Sequence, residues 1–290
     1  SGWRIDVGNM TGRLGSDNHH DEVMHGIRIA MDETNPNAWL VAENGDFVAS
    51  DLNGLGWHGA MNYQGFMRPV WNWLNRNPDI GGGFQGLPFE MPRISGSQLV
   101  NSMKQFNASV PWRSVTASMV LLDSHDTARF RTVVSGDVAS HLSAMTMVLT
   151  YPGVPSIFAG DEIGLEGAWG EDGRRTINWD DQSSWDIGFL TEVKKLISIR
   201  KRHDALINGG LRWVLVEDDC LAFLRESKKE TVLVFISRGK VKTSIDLAKH
   251  GYVVKESLYG ISGAGSTISI ETDKPTQGVW VLESSQKLSG

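Results

Sequence analysis

The sequence predicts an α/β chain in which strand and helix units follow one another and then give way to a small antiparallel β domain. Three observations point there. Across residues 1–206 the apolar spacing alternates between the two-residue period of a strand and the three-to-four-residue period of a helix. Clusters of Gly, Pro and Asn punctuate the change from one to the other. From about Gly209 the helical period stops, and short alternating runs separated by polar turns take over.

Taken in order, Gly2 to Val7 reads as a strand whose alternation puts Arg4 and Asp6 on one face and Trp3, Ile5 and Val7 on the other. Asp21 to Glu33 spaces Val23, Ile27, Ala30 and Met31 as an amphipathic helix, and Asn35-Pro36-Asn37 ends it. Ala38 to Ala42 is the second strand and Ala60 to Tyr63 a short third. A helix from about Phe66 to Leu74, a Gly-rich loop at Gly81 to Gly83 and a helix at Ser97 to Phe106 follow. Ser114 to Leu122 reads as the fourth strand, Val138 to Thr150 as a helix, Val154 to Ala159 as the fifth strand and Phe189 to Arg202 as the last helix. The β segment then offers strands at Arg212 to Val216, Cys220 to Arg225, Thr231 to Ser237 and Gly278 to Leu282.

Five βα units imply a parallel sheet, most simply part of a (β/α)₈ TIM barrel. A complete barrel takes eight units, roughly 250 residues before any appended domain. The expectation is therefore the C-terminal portion of the barrel, strands 4–8, in residues 1–206, followed by a small antiparallel β-sandwich in residues 207–290. The first three strands would come from an N-terminal half, covalent or on a separate chain, and that half would cover the edge at Gly2 to Val7.

Bulk properties exclude some functions. Lys plus Arg number 28 against 34 Asp plus Glu, a net charge of −6 without a basic stripe, so nucleic acid is not an expected partner. The longest apolar runs, Met119 to Leu122 and Met145 to Leu149, fall far short of a membrane span. One cysteine, Cys220, rules out an intrachain disulfide and suits the reducing cytoplasm, the alternative being secretion with a signal peptide outside these residues. The 11 tryptophans could stack on sugar rings, although core filling accounts for most of them.

Chemistry concentrates in three carboxylates. Asp6 ends the first strand, Glu43 follows the second, and Asp126 follows the strand ending at Leu122-Asp123. In a βα barrel the C-terminal strand ends build the active site, so these groups would converge on one cavity. Retaining glycoside cleavage asks for such a set: one carboxylate attacks the anomeric carbon while a protonated one donates to the leaving oxygen, with the carboxyl groups about 5–5.5 Å apart. Arg4 would hold Asp6 in the charged form.

The surrounding motifs carry a resemblance. Gly2-Trp3-Arg4-Ile5-Asp6-Val7 resembles the second signature region of glycoside hydrolase family 13, the α-amylase family. Ala42-Glu43 lies where its third region is expected, and Leu121 to Arg129, with Ser124-His125-Asp126-Thr127, resembles its fourth. Pro155 to Glu162 looks like the family's eighth strand and loop, and Leu196 to Leu206 like its last barrel helix. The resemblance implies Asp6 as nucleophile, Glu43 as acid/base, Asp126 as third carboxylate, and substrate contacts from Arg4, Asn9, Met10, His125 and Arg129. Ser124 before His-Asp, Val7-Gly8-Asn9 and Met61-Asn62-Tyr63 resemble the neopullulanase and cyclomaltodextrinase members. The implied substrates are α-1,4-linked and also α-1,6-linked glucans: malto-oligosaccharides, cyclodextrins or pullulan, in starch degradation. Transglycosylases and isomerases share every one of these residues, and a fragment inactive without its N-terminal half is a further alternative. The resemblance implies no definite cofactor; it leaves room for a structural calcium ion whose ligands the sequence does not single out.

Other strings carry less. Adjacent residues on one strand end cannot form a proton relay, so Ser124-His125-Asp126 is not a hydrolase triad. Gly54 to Gly59 matches Gly-x-Gly-x-x-Gly without a strand and helix around it, and reads as a loop. His19, His20, Asp21 and His25 read as a solvated helix start, because His20 and His25 lie on different helix faces. Asp161 and Glu162 read as structural, and Cys220 as a small core residue.

Overall fold

The computed structural model describes residues 2–45, 48–83 and 90–285. It divides into two compact units. One comprises Ser1–Pro69, Asn101–Leu121 and Gly153–Ser156; the other comprises Val70–Val100, Leu122–Pro152 and Ile157–Gly290.

The first unit is organised by parallel pairing in chain order. Strand Gly2–Ile5 pairs with Trp39–Ala42, Arg4 standing opposite Val41, and Trp39–Ala42 pairs with Gly59–Ala60. A parallel bridge joins Met61 to Met119, and Met119–Val120 pairs with Val154–Pro155. Sequence neighbours are thus sheet neighbours throughout, as right-handed βα crossovers produce. Helix His20–Thr34 runs between the first two strands. It buries Met24 fully and lays Ile27 and Met31 on a core of Leu40, Ala42, Leu52, Trp57, Ala60, Phe106, Val110 and Val115.

Several expected strands come out shorter: Gly2 to Val7 ends at Ile5, Ala60 to Tyr63 is reduced to Gly59–Ala60 with an isolated bridge at Met61, and two others shrink further. Of Ser114 to Leu122, residues Trp112–Ala117 form a helix and Met119–Val120 alone pair as strand. Val115 and Thr116 are β-branched and suggested a strand, yet Val115 is fully buried in the core and Thr116 satisfies its hydroxyl on the Arg113 carbonyl one turn back. Pro111 precedes that helix at φ −58°, the value its ring enforces and a helix start accepts. Val154 to Ala159 reduces to Val154–Pro155, extended by one bond from the Ser156 N–H to the Val120 carbonyl; Pro155 has no N–H to give. The remaining helices lie close to their expected spans, at Arg68–Leu74, Gly96–Ser109, Val138–Thr150 and Ile187–Arg202. The Gly-rich stretch closes a 3-10 turn, Pro78–Gly83.

The second unit contains the C-terminal β segment. A five-stranded antiparallel sheet runs in the order Tyr252–Gly260, Thr276–Ser284, Thr231–Ser237, Cys220–Glu226, Gly210–Val216, and Val241–Asp246 pairs with Thr267–Thr272. Both sheets contribute to one core: Ala222, Leu224, Leu233, Phe235 and Trp280 from the larger, Val241, Ile245, Ile268 and Ile270 from the smaller. Cys220 belongs to this core and is a free thiol. Arg225, on the strand Cys220–Glu226, is fully buried. Its guanidinium donates to the carbonyls of Thr150, Leu206, Gly209 and Gly210, and burial pushes its pKa down to about 9.

Candidate active site

The expected residues fall into two groups, one in each unit. Arg4, Asp6, Asn9, Met10 and Glu43 belong to the first; His125, Asp126 and Arg129 belong to the second.

In the first group the strand ends do the positioning. Parallel pairing sets Ile5 opposite Ala42, and the Glu43 N–H continues the ladder onto the Ile5 carbonyl at 2.8 Å. Arg4 ion-pairs with Asp6 through Nη1 and lies 3.3 Å from Glu43 Oε2 through Nη2, so the two carboxyl groups share one guanidinium. The chain then turns sharply. Val7 sits in the left-handed region, φ 41° and ψ 54°, which aims its N–H at Glu43 Oε2 at 2.8 Å. Gly8 donates to the Glu43 carbonyl at 2.7 Å, and a Cβ there would meet Ala42 Cβ at 2.8 Å, so only glycine allows this approach. Asn9 and Met10 end the 3-10 turn Gly8–Met10 with exposed side chains. Asp6 is 73% exposed and Glu43 15%.

In the second group Asp126 is held from two sides. His125 Nε2 is 3.3 Å from Asp126 Oδ2, and Arg174 Nη2 is 3.1 Å from Oδ1 while its Nε donates to the His125 carbonyl at 2.8 Å. Arg174 follows a short turn, Gly170–Gly173, that presses on the Asp126 loop: a Cβ on Gly170 would stand 3.0–3.1 Å from the Asp126 backbone. Arg129 differs from the expectation of a substrate contact. Its side chain is 2% exposed, and the guanidinium bonds Asp161 Oδ1 at 2.9 Å and the Gly173 carbonyl at 2.8 Å and stacks on Phe158. Its Nε and Nη1 are both taken by protein and the side chain is buried, so it supports the loops around Asp126.

Below Arg129 lies a buried acid pair. Asp123 accepts the Phe130 N–H at 2.6 Å, and burial, the Asp161 charge and a hydrogen bond to Asp161 hold its carboxyl well above the usual range. Burial also raises Asp161, with Arg129 pulling it back down, so Asp123 keeps the shared proton and Asp161 carries the charge that Arg129 neutralises. Further along, Arg131 Nε donates to His141 Nδ1 at 3.0 Å and its Nη2 reaches Asp186 at 3.0 Å, the residue that caps helix Ile187–Arg202. His141, fully buried beside Phe189, is pushed well below its ordinary pKa by burial and by Arg131.

Several contributors gave no sequence signal. Arg174 lies far along the chain from Asp126, in a loop of Gly and charge. His20, expected in a solvated helix start, is 11% exposed and 3.4 Å from buried Asp51; His19 beside it is 52% exposed as expected. Of the tryptophans, Trp57, Trp71, Trp73 and Trp280 are buried, whereas Trp3, Trp169 and Trp179 are exposed. Among the described residues no group of three or more His, Cys, Asp or Glu is arranged to hold a metal ion, and no helix is long and apolar enough to cross a membrane.

Comparison with known proteins gives consistent matches. The family described as "Alpha amylase, catalytic domain" matches residues 1–183. A cyclomaltodextrinase of a Bacillus species is 29% identical over 247 residues, 82% of this chain and 39% of that protein. An amylopullulanase of Thermoanaerobacter thermohydrosulfuricus is 30% identical over 275 residues, 86% of this chain and 18% of that protein. The chain therefore spans well under half the length of these curated relatives. Among solved structures, a debranching enzyme from Nostoc punctiforme aligns with a TM-score of 0.83 at 25% identity, covering 96% of this chain and 57% of that one.

Proposed function

This chain belongs to the alpha-amylase family, and from that premise we propose that it carries the catalytic carboxylates of a retaining glycoside hydrolase acting on α-1,4-linked, and also α-1,6-linked, glucans. The observation that carries the proposal is the guanidinium of Arg4 shared between Asp6 and Glu43. Two carboxyl groups held by one planar fork lie within several ångströms of each other, the scale that a retaining displacement uses, about 5–5.5 Å.

Asp6 then attacks the anomeric carbon, the glycosidic C–O bond breaks, and Glu43 delivers its proton to the departing oxygen. Water, deprotonated by Glu43, releases the sugar from the Asp6 ester with the original configuration. The family resemblance supports a role for Asp126 and His125 at sugar hydroxyls, and a substrate-contacting role for Asn9 and Met10 in the turn after Asp6. The activities named for the relatives support malto-oligosaccharides, cyclodextrins and pullulan as substrates.

The same proposal assigns residues 1–206 to strands 4–8 of a (β/α)₈ barrel and 207–290 to a C-terminal β domain, supported by the chain-order parallel pairing and the two antiparallel sheets. It also includes a further βα segment, covalent or separate, along Gly2–Ile5. Among the described residues that strand pairs on one side only, Trp3 is 70% exposed, and an apolar groove of about 650 Å³ runs between Trp3, Ile5, Ile27 and Met31. A cytoplasmic location is supported by the free thiol of Cys220.

The test is turnover of maltoheptaose, β-cyclodextrin and pullulan, with the anomer of the first product read by NMR. Retained configuration, abolished by Asp6→Asn and by Glu43→Gln, is the expected result. An inverted product, or full activity in Asp6→Asn, overturns the mechanism.

A further inference from the structure

Behind the Asp6 and Glu43 strand ends lies a buried polar link that the chemistry above does not use. His20 Nδ1 is 2.9 Å from the Thr11 carbonyl, on the segment that follows Asp6. A carbonyl only accepts, so that nitrogen carries a proton. The other ring nitrogen, Nε2, lies 3.4 Å from Asp51 Oδ1, with the two side chains 11% and 6% exposed. Asp51 also takes the Ser50 hydroxyl at 2.9 Å on Oδ1 and the Asn44 amide at 3.3 Å on Oδ2, and Asn44 is the residue after Glu43. The ring edge rests against buried Trp57 at 6.4 Å between centroids.

The segment after Asp6 is docked where His20 meets it. Gly12, at φ 78°, accepts the His19 N–H at 2.9 Å, and a Cβ on it would stand 2.7 Å from the His19 carbonyl oxygen. One rigid imidazole thus touches the nucleophile's loop through one nitrogen and faces, through the other, the carboxylate that holds the acid/base loop. Asp51 is thereby surrounded by the Ser50 hydroxyl, the Asn44 amide and the imidazole edge, a set of contacts that ties the residue after Glu43 to the start of the helix.

We infer that His20 and Asp51 form a brace that fixes the loop after Asp6 against the loop after Glu43, acting as positioning residues that touch no substrate. The inference rests on the reading of Asp6 and Glu43 as the catalytic pair. It makes the helix start His20–Thr34 part of the catalytic apparatus of this chain, through Thr11 on one side and Asn44 on the other.

The experiment compares the parent with His20→Phe, which keeps a ring against Trp57 and removes both nitrogens, with His20→Gln, which restores a donor toward Thr11, and with isosteric Asp51→Asn. Amide hydrogen exchange at Val7 and Gly8, the two N–H groups bonded to Glu43, reads the brace without any need for turnover. The expected result in His20→Phe and Asp51→Asn is about tenfold faster exchange at those two amides, with the strands Trp39–Ala42 and Thr231–Ser237 unchanged. Turnover of maltoheptaose falls about tenfold in kcat with KM within about twofold, and His20→Gln recovers part of it. Unchanged exchange at Val7 and Gly8 overturns the brace, as does acceleration spread evenly over all strands, which marks general loosening. If the parent turns over no glucan, the proposed function fails while the exchange result still decides the brace.

Discussion

Val7 gives its backbone N–H to Glu43 Oε2 from a left-handed conformation, φ 41° and ψ 54°, which a β-branched residue adopts only under strain. Such strain costs about 1–3 kcal/mol and survives where neighbouring contacts over-determine it. Glycine relieves it but adds freedom to the unfolded chain, at a cost of about 0.4–1 kcal/mol. Val7→Gly is therefore expected to stabilise the fold by about 1 kcal/mol in a urea titration while lowering kcat on maltoheptaose. A variant both less stable and fully active would contradict this account of the turn.

The Asp123 and Asp161 pair makes a statement about pH. The folded chain holds a proton on Asp123 at pH values where an unfolded aspartate has lost it, so the folded state binds more protons and this contribution to stability declines as pH rises from about 4 through the raised pKa. Asp123→Asn keeps the protonated pattern permanently, its oxygen accepting the Phe130 N–H and its amide facing Asp161. We expect the variant to gain on the parent as pH increases and to equal or exceed it at pH 8. Denaturant midpoints at pH 5 and pH 8 check this, and a variant that loses ground with rising pH would sink it.

His141 has the opposite sign. Its folded pKa is depressed, so below about 6.5 the unfolded chain takes a proton that the folded chain refuses, and stability falls on acidification by up to about 1.4 kcal/mol per pH unit. His141→Gln can still accept from Arg131 and has no proton to gain. It should be less stable than the parent at pH 7.5 and approach it as pH drops to 5. A gap that stays the same from pH 7.5 to pH 5 would show that His141 titrates normally in the fold.

Gly170 packs on the loop that carries Asp126, leaving 3.0 Å from the site of a Cβ to the Asp126 carbonyl carbon. The neighbour must yield by a few tenths of an ångström if alanine is placed there. Gly170→Ala is expected to lower kcat about tenfold with little change in thermal midpoint, because small displacements of a reacting group are expensive. Parent-like kcat would mean that this turn does not position Asp126.

Much of this was legible in the sequence because the period changes are clear. Helix Val138–Thr150 was readable to the residue, and the short strand Thr231–Ser237 likewise, since the strand is buried throughout, the helix is buried over most of its length, and turn residues bound both. Alternation through Val7 suggested that Arg4 and Asp6 share a face; they do form an ion pair, but the strand ends at Ile5 and Asp6 reaches Arg4 from the turn. The strand Ser114 to Leu122 misled because β-branched residues inside a buried helix look like strand when packing is unknown. His20 and Arg174 were invisible for another reason. Their partners, Asp51 and Asp126, are distant in sequence, and a surface-looking histidine or arginine gives no periodic signal of what it will meet. Arg129 was expected at the sugar because of the motif it closes, and nothing local foretold that Asp161, 32 residues on, would take its charge.

Arg225 binds together pieces of chain that the sequence presents as separate. The carbonyls it occupies come from the end of helix Val138–Thr150, from Leu206, and from Gly209 and Gly210 at the entry to the β segment. A truncation after Leu206 would remove Gly209 and Gly210 together with this cation and leave the Thr150 and Leu206 carbonyls without their donor. The β segment is consequently no detachable passenger. Helix Val138–Thr150 and the strand carrying Arg225 should melt in the same step, and in any exchange of parts between relatives the two have to be inherited together.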